Sequence, residues 1–278
     1  MTCADRKYRL HAPCIGNCIK CPVKSRAVIY GPVASRRRGR SLGINLYPLF
    51  KVCSFDCVYC LRGRTIAKIS NPIDYICLQL KPEHVLRYLS TVLNKIETDT
   101  VDLSGNGEPT LYPRFLELCR EVSKICKEYS IKSLGLFTNS TQFQRRQTVQ
   151  SLKYIDHVEA KLDTFNEHKF RIINRPAHGI TLSKVIEGLA QARKYVSELS
   201  VQIMLCKMEL EGSLIFTVSD EDVHNMIDVL CKIEPDVVHL YTVYRMPYRT
   251  NVYPVSINEV ESVIEKLRAH GFKFRIFI

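Results

Sequence analysis

Three cysteines fall within the stretch KVCSFDCVYCLRG (51–63): Cys53, Cys57 and Cys60, spaced C-x3-C-x2-C. Thiolate sulfur is a soft ligand that selects zinc or iron–sulfur clusters. A closed structural zinc site takes four protein ligands, and no fourth cysteine follows nearby. Two chemistries suit three ligands. A [4Fe–4S] cube held through three irons leaves the fourth iron open, whereas a zinc ion would carry a water. Zinc more often pairs two C-x2-C knuckles, so the spacing leans toward iron–sulfur. The pattern recurs upstream in CIGNCIKC as Cys14, Cys18 and Cys21. With twelve cysteines in 278 residues, about 0.02 copies are expected by chance, so two copies call for a chemical reason.

The rest of the chain must position these thiols. Its 46% hydrophobic and 24% charged residues are ordinary for a globular protein large enough to bury a sizeable core. The opening MTCADRKYRLHAPC lacks the apolar run of a signal peptide, and no stretch approaches the roughly 18 to 20 apolar residues of a membrane span. The expectation is a cytoplasmic protein with no membrane partner. Disulfide frameworks are rare in that compartment, which leaves metal, redox chemistry and core packing for the cysteines. Forty basic and 28 acidic side chains give a net charge of +12. Such an excess steers phosphate-rich partners, although a solvated lysine-rich surface explains it equally well.

Short β-branched runs alternate with amphipathic stretches. Strands are expected at 41–48, 100–105, 133–138, 157–163, 199–205 and 237–243, and helices at 81–96, 113–128, 141–153, 181–197, 219–233 and 256–270. In the first helix, Val85, Leu86, Leu89, Val92, Leu93 and Ile96 form one apolar face. Alternation of this kind implies parallel strands joined by right-handed crossovers. The expected fold is α/β: an open, partial (β/α)6 TIM-type barrel over 31–278, with a closing strand at 272–278. Residues 1–30 form a Cys-rich N-terminal extension. Functional residues of such barrels collect at the C-terminal ends of the strands, where both the cysteine loop and GNGEPT (105–110) fall.

The stretch CSFDCVYC after a first strand, with SGNGEPTLYP (104–113) after the second, resembles the signature of radical S-adenosylmethionine (SAM) enzymes. The stretches YGPVASRRRGRSLGINLYP, LDTFNEHKFRIINRPAHGITLSKVIEGL and IEPDVVHLYTVYRMP are similar to an archaeal and bacterial subgroup related to wyosine-forming tRNA enzymes. The resemblance covers residues 30 to about 275. It implies that Cys53, Cys57 and Cys60 hold a [4Fe–4S] cluster whose fourth iron is chelated by SAM. One electron then cleaves SAM into methionine and a 5′-deoxyadenosyl radical, with the protein supplying binding and orientation. It implies further that Tyr59 lies near the adenine, and that the turn Gly105, Asn106, Gly107, Glu108 presents backbone groups and a carboxylate to the SAM ammonium. Asn139, Lys161, Asp163 and Gln202, at or near strand ends, are candidate ribose or carboxylate contacts; satisfied strand ends are the plainer account of each.

Cys14, Cys18 and Cys21 repeat the spacing, but Lys20 stands where the SAM motif carries an aromatic residue. An auxiliary [4Fe–4S] cluster, with Cys3 as fourth ligand, or a four-cysteine zinc site fits them. Wyosine-forming relatives place an auxiliary cluster upstream on more widely spaced cysteines. The run SRRRGRS supplies Arg36, Arg37, Arg38 and Arg40, whose forks suit RNA phosphates or an anionic substrate. Cys77, Cys119, Cys126, Cys206 and Cys231 are expected in the core. The eight histidines form no ligand-like pair in sequence. Tyr241, Tyr244 and Tyr248 either line a substrate mouth or pack.

The leading expectation is therefore a radical SAM enzyme acting on tRNA, similar to 4-demethylwyosine synthase and reduced by a donor such as ferredoxin or flavodoxin. The alternatives are a radical SAM oxidoreductase on a small metabolite or peptide and, from another class, a non-catalytic zinc-stabilised RNA-binding protein.

Overall fold

The computed structural model of the chain describes residues 9–14, 21, 26–77 and 79–277. Its strands are β1 (Arg9–Ala12), β2 (Ala27–Ser35), β3 (Gly39–Ile44), β4 (Val52–Cys53), β5 (Ala67–Lys68), β6 (Thr100–Leu103), β7 (Ser133–Thr138), β8 (His157–Lys161), β9 (Glu198–Leu210), β10 (Ser213–Phe216), β11 (Val237–Thr242), β12 (Val252–Pro254) and β13 (Phe274–Phe277). The helices are α1 (Asp74–Cys77), α2 (Pro82–Leu93), α3 (Phe115–Glu128), α4 (Arg146–Ser151), α5 (Glu167–Ile173), α6 (Leu182–Ala192), α7 (Asp220–Ile233) and α8 (Glu261–Ala269). The main sheet runs β1-β2-β3-β6-β7-β8-β9-β11-β13. Along this path every pairing from β3 to β13 is parallel, while β10 and β12 pair antiparallel with β9 off it. This is the partial α/β barrel expected from the alternation, with β13 as the added strand next to β11.

Apolar residues at alternate strand positions, such as Val101, Leu103, Leu134, Leu136, Val158, Ala160, Val201, Ile203, Val238 and Leu240, are buried in the core. It includes α2 through Val85, Leu89 and Val92, and α7 through Val223, Met226, Ile227, Leu230 and Ile233. Ser219 caps α7 in a box with Asp222, as its sequence suggests. The helix expected over 141–153 is shorter, because Asn139 Oδ1 accepts from the Thr141 amide and hydroxyl and holds a turn there. Cys77, Cys119, Cys126 and Cys206 are buried as expected, but Cys231 is exposed. It follows Leu230 on α7, and one residue's rotation of about 100° carries it to the outer face. Among the described residues no helix is long and apolar enough to cross a membrane.

The N-terminal segment is less separate than the division at residue 30 implies. Strand β2 runs through that point, pairing parallel with β1 and antiparallel with β3. The turn between β2 and β3 carries the arginine run, and two of its side chains point inward. Arg37 pairs with Glu159 on β8, and its guanidinium lies 4.7 Å from the Tyr241 ring and 5.2 Å from the Phe137 ring. Arg38 donates to Asp102 on β6 at 3.0 Å and to Ser133 Oγ at 3.1 Å. The expected phosphate contact thus fails at Arg37 and Arg38, whose charges are spent on buried carboxylates. Arg36 is exposed, 4.9 Å from the Phe277 ring, and Arg40 is exposed beside Asp99 and Glu97.

Glu159 also meets His239 of β11 at 3.0 Å and His157 at 3.2 Å. Strand β9 lies between β8 and β11, so the contact with His239 requires a curved sheet whose polar side chains meet inside. Two histidines 82 positions apart in sequence share this carboxylate, a pairing that spacing does not reveal. Burial pushes the Glu159 pKa up, but hydrogen bonds from His157 and His239 and the Arg37 charge hold it down at about 2, against an ordinary 4.5. A folded pKa below the unfolded one stabilises the fold above about pH 4.5, and that contribution drains as pH falls toward 2. Glu159→Gln should therefore cost on the order of 3 kcal/mol at pH 7 and flatten the acid limb between those values. Denaturant unfolding from pH 2 to 7 checks this; equal stability of the two proteins at pH 7 contradicts it.

Candidate active site

The cysteine loop is clamped on two sides. On one side β4 docks backbone to backbone on the glycine turn that follows β6: Val52 bridges Gly107, and the Glu108 amide donates to the Val52 carbonyl at 2.9 Å. A side chain at Gly107 would place its Cβ 1.7 Å from that carbonyl, and the residue has φ of +98°. Glycine is required there on both counts. On the other side, the Asp56 amide donates to Asn174 O at 3.0 Å, Val58 to Ile173 O at 3.0 Å and Ala177 to Ser54 O at 2.8 Å. Phe55 anchors the loop in the core, edge-on to Phe170 of α5 with ring centroids 5.3 Å apart.

Hydrogen-bond donors face the three thiols. Cys53 Sγ accepts from the Phe55 amide at 3.4 Å and Asn139 Nδ2 at 3.6 Å, and Cys57 Sγ from Asn174 Nδ2 at 3.6 Å. Cys60 Sγ accepts from the Lys51 ammonium at 3.1 Å. Burial raises the Cys53 pKa, and burial with the Asp163 charge pushes Cys57 up to about 11. At Cys60 burial is overcome by the Lys51 charge and its hydrogen bond, and the pKa falls. Among the described residues no three His, Cys, Asp or Glu side chains converge on a point that one ion would fill. An iron–sulfur cube does not ask for that, since each thiolate meets its own iron. Free thiols with N–H donors aimed at sulfur, beside a buried Asn174 Oδ1 that has no partner, fit such a cluster.

The residues expected to bind SAM gather on the same rim, in roles that differ in part. Glu108 is 2% exposed, and its carboxylate accepts from the Thr110 amide, the Thr110 and Thr138 hydroxyls and the Asn139 amide at 2.6–3.1 Å. Burial outweighs these bonds and raises its pKa. The carboxylate expected to face the SAM ammonium also braces the site, tying the glycine turn to the end of β7. Gly105 has φ of +129°, and a Cβ there would meet Asn45, whose Oδ1 accepts the Asn106 amide at 3.0 Å. Asn139 donates to Ser54 Oγ at 2.8 Å and so joins β7 to the cysteine loop.

Asp163 receives the Tyr59 hydroxyl, Asn174 Nδ2 at 2.7 Å and the Met204 amide at 2.9 Å. Lys161 reaches Asp163 at 3.3 Å and lies 4.8 Å from the Tyr59 ring. Gln202 sits beside Lys161 in register on β9. Asn174 and Lys51 belong to this constellation but escaped the sequence reading. The only signal for Asn174 was its place in the family-like stretch IINRPAHG, and for Lys51 its position two residues before Cys53. Of the upstream cysteines, Cys14 is exposed and Cys21 is buried, its thiol accepting from Arg62. Cys3 and Cys18 lie outside the described residues.

Gly107→Ala should drive β4 off the turn and displace Cys53. Iron and sulfide bound after anaerobic reconstitution should fall several-fold while the far-UV spectrum persists; full loading would show that the glycine contact does not hold the loop.

Comparison with known proteins places this geometry. The model of the radical SAM superfamily matches residues 47–230. A UPF0026 protein of Methanocaldococcus jannaschii is 31% identical over 241 residues, covering 85% of this chain and 70% of the relative. A GTP 3′,8-cyclase of Peptoclostridium acidaminophilum is 27% identical, covering 77% of this chain and 60% of the relative. A UPF0026 protein of Helicobacter pylori is 32% identical over 65% of this chain, which spans only 56% of that protein. Among solved structures, Streptococcus suis SuiB bound to S-adenosylmethionine aligns with a TM-score of 0.57 at 14% identity, covering 82% of this chain and 48% of SuiB. TYW1 with a lysine-pyruvate adduct bound aligns at 0.55 and 16%, covering 83% of this chain and 73% of TYW1. At such identities the two structures show the shared fold alone. The family match spans the cysteine loop, the glycine turn and the strand ends that carry Asn139, Lys161 and Asp163, and with it the chain belongs to the radical SAM superfamily.

Proposed function

We propose that this enzyme cleaves S-adenosyl-L-methionine reductively at the Cys53, Cys57 and Cys60 loop and directs the resulting radical at a tRNA base, in a modification of the wyosine type. Radical SAM chemistry uses a [4Fe–4S] cluster and SAM. When bound, they supply one-electron cleavage of the sulfonium, which yields methionine and a 5′-deoxyadenosyl radical. The chain's own part is placement. Tyr59, held by Asp163 and Asn174, offers a fixed aromatic face for the adenine. Asn139, Lys161 and Gln202 offer polar groups to the ribose and carboxylate.

One observation carries the RNA reading: the segment after β11, on the strand-end rim, is aromatic, basic and bare. Tyr244 is 80% exposed and Met246 75%, with Arg245 and Tyr248 also exposed. Unstacked bases settle on such rings while arginine meets phosphate. The net charge of +12 acts in the same direction. The electron comes from a ferredoxin- or flavodoxin-type donor. The N-terminal cysteines serve an auxiliary metal centre; contact of Cys21 with Arg62, two residues beyond Cys60, supports a place beside the cysteine loop. A second reading, a small purine nucleotide as substrate, is favoured by the likeness to GTP 3′,8-cyclase.

The test is 5′-deoxyadenosine formation by reconstituted, dithionite-reduced protein, alone, with unmodified tRNA and pyruvate, or with GTP. Cys57→Ala should abolish the product, and tRNA should stimulate the parent protein. Tyr244→Ala combined with Arg245→Glu should weaken tRNA retention by about tenfold, most clearly at low salt. Stimulation by GTP and indifference to tRNA would move the assignment to the second reading.

A further inference from the structure

Lys51 is 6% exposed, and its ammonium contacts Cys60 Sγ at 3.1 Å and the Gly63 carbonyl at 2.8 Å. Three other inward-facing cations have carboxylates: Arg37 has Glu159, Arg38 has Asp102 and Lys161 has Asp163. Among the described residues no carboxylate pairs with Lys51. A buried ammonium is costly unless a negative charge opposes it. The group that its ammonium meets instead is the Cys60 sulfur, which carries negative charge when it ligates iron as a thiolate. The Gly63 carbonyl fixes the amine's position without neutralising it. Lys51 also precedes β4, so the clamp that seats Cys53 also sets where this ammonium sits.

We propose that Lys51 is a positioning residue that sets the reduction potential of the cluster by placing a fixed positive charge and an N–H donor against the Cys60 ligand. The inference rests on the assignment of a [4Fe–4S] cluster to this loop. The potential of such a cluster depends on nearby charge and on hydrogen bonds to its sulfurs. Reduction adds one electron from a low-potential one-electron donor; the cluster gains one negative charge, the donor is oxidised by one electron, and no proton or bond changes hands. A neighbouring cation favours the more negative state, so Lys51 raises the potential and eases electron entry.

The experiment is a dithionite titration of anaerobically reconstituted protein, followed by the electron paramagnetic resonance of the reduced cluster, with iron and sulfide counted in each sample. At the wild-type midpoint, Lys51→Met should hold at least about tenfold less reduced relative to oxidised cluster, a fall of 59 mV for one electron. Lys51→Gln keeps an N–H donor without the charge, should fall in the same direction, and carries the test if Lys51→Met loads poorly. Lys51→Arg should restore the wild-type ratio to within about threefold. Titration of both neutral variants with the wild type, or an equal fall in Lys51→Arg, overturns the proposal. A wild-type protein that takes up no cluster overturns the cluster reading itself, which the iron count reveals separately.

Discussion

The site hangs on a contact between two backbones. Val52 of β4 lies against Gly107, so close that a single added carbon would sit 1.7 Å from its carbonyl oxygen. That contact fixes Cys53 relative to the glycine turn, and Glu108 then fixes the turn relative to the end of β7. From the far side, backbone bonds to residues 173–177 hold the same loop beneath α5. A loop otherwise free to sample many conformations is pinned at both ends, which limits where its three thiols can sit. This is preorganisation through hydrogen bonds and one obligatory glycine, with Phe55 and Phe170 supplying the apolar anchor.

Electrostatics divides the barrel interior into two zones. In one, Arg37 and Arg38 neutralise Glu159 and Asp102, and two histidines complete the shell of Glu159. In the other, Lys51, Lys161 and the amides of Asn139 and Asn174 surround the cysteine loop. Buried charge is tolerated in both because each group has partners. Part of the positive excess is therefore structural, spent on the interior. The remainder lies elsewhere, on exposed side chains such as Arg245.

What the sequence disclosed follows from how far each signal reaches. The cysteine spacing, the glycine turn and the strand–helix alternation are local, so the thiol loop, Gly105–Glu108 and the partial barrel could be read directly. The closing strand was legible in FKFRIFI and forms as β13. The direction of a side chain is not local. Four arginines within five residues look like a phosphate patch until the fold turns two of them onto carboxylates 64 and 122 positions away. Glu108 follows two glycines in sequence, but the donors that hold its carboxylate reach as far as Thr138 and Asn139, which spacing does not reveal. Asn174 stands 117 positions from Cys57, and nothing short of the fold brings the two together. Strands β10 and β12, which flank the extended end of β9, carry no pattern strong enough to mark them in a pass for parallel strands.

The central claim is that the loop of Cys53, Cys57 and Cys60 holds a cluster with one iron left open to SAM. Electron paramagnetic resonance of the dithionite-reduced protein, recorded with and without SAM, tests it most directly. Direct chelation of the open iron predicts a [4Fe–4S] signal whose g-values and line shape change when SAM is added. A signal that stays the same while SAM is shown to be bound, or iron absent from the reconstituted protein, would contradict the account.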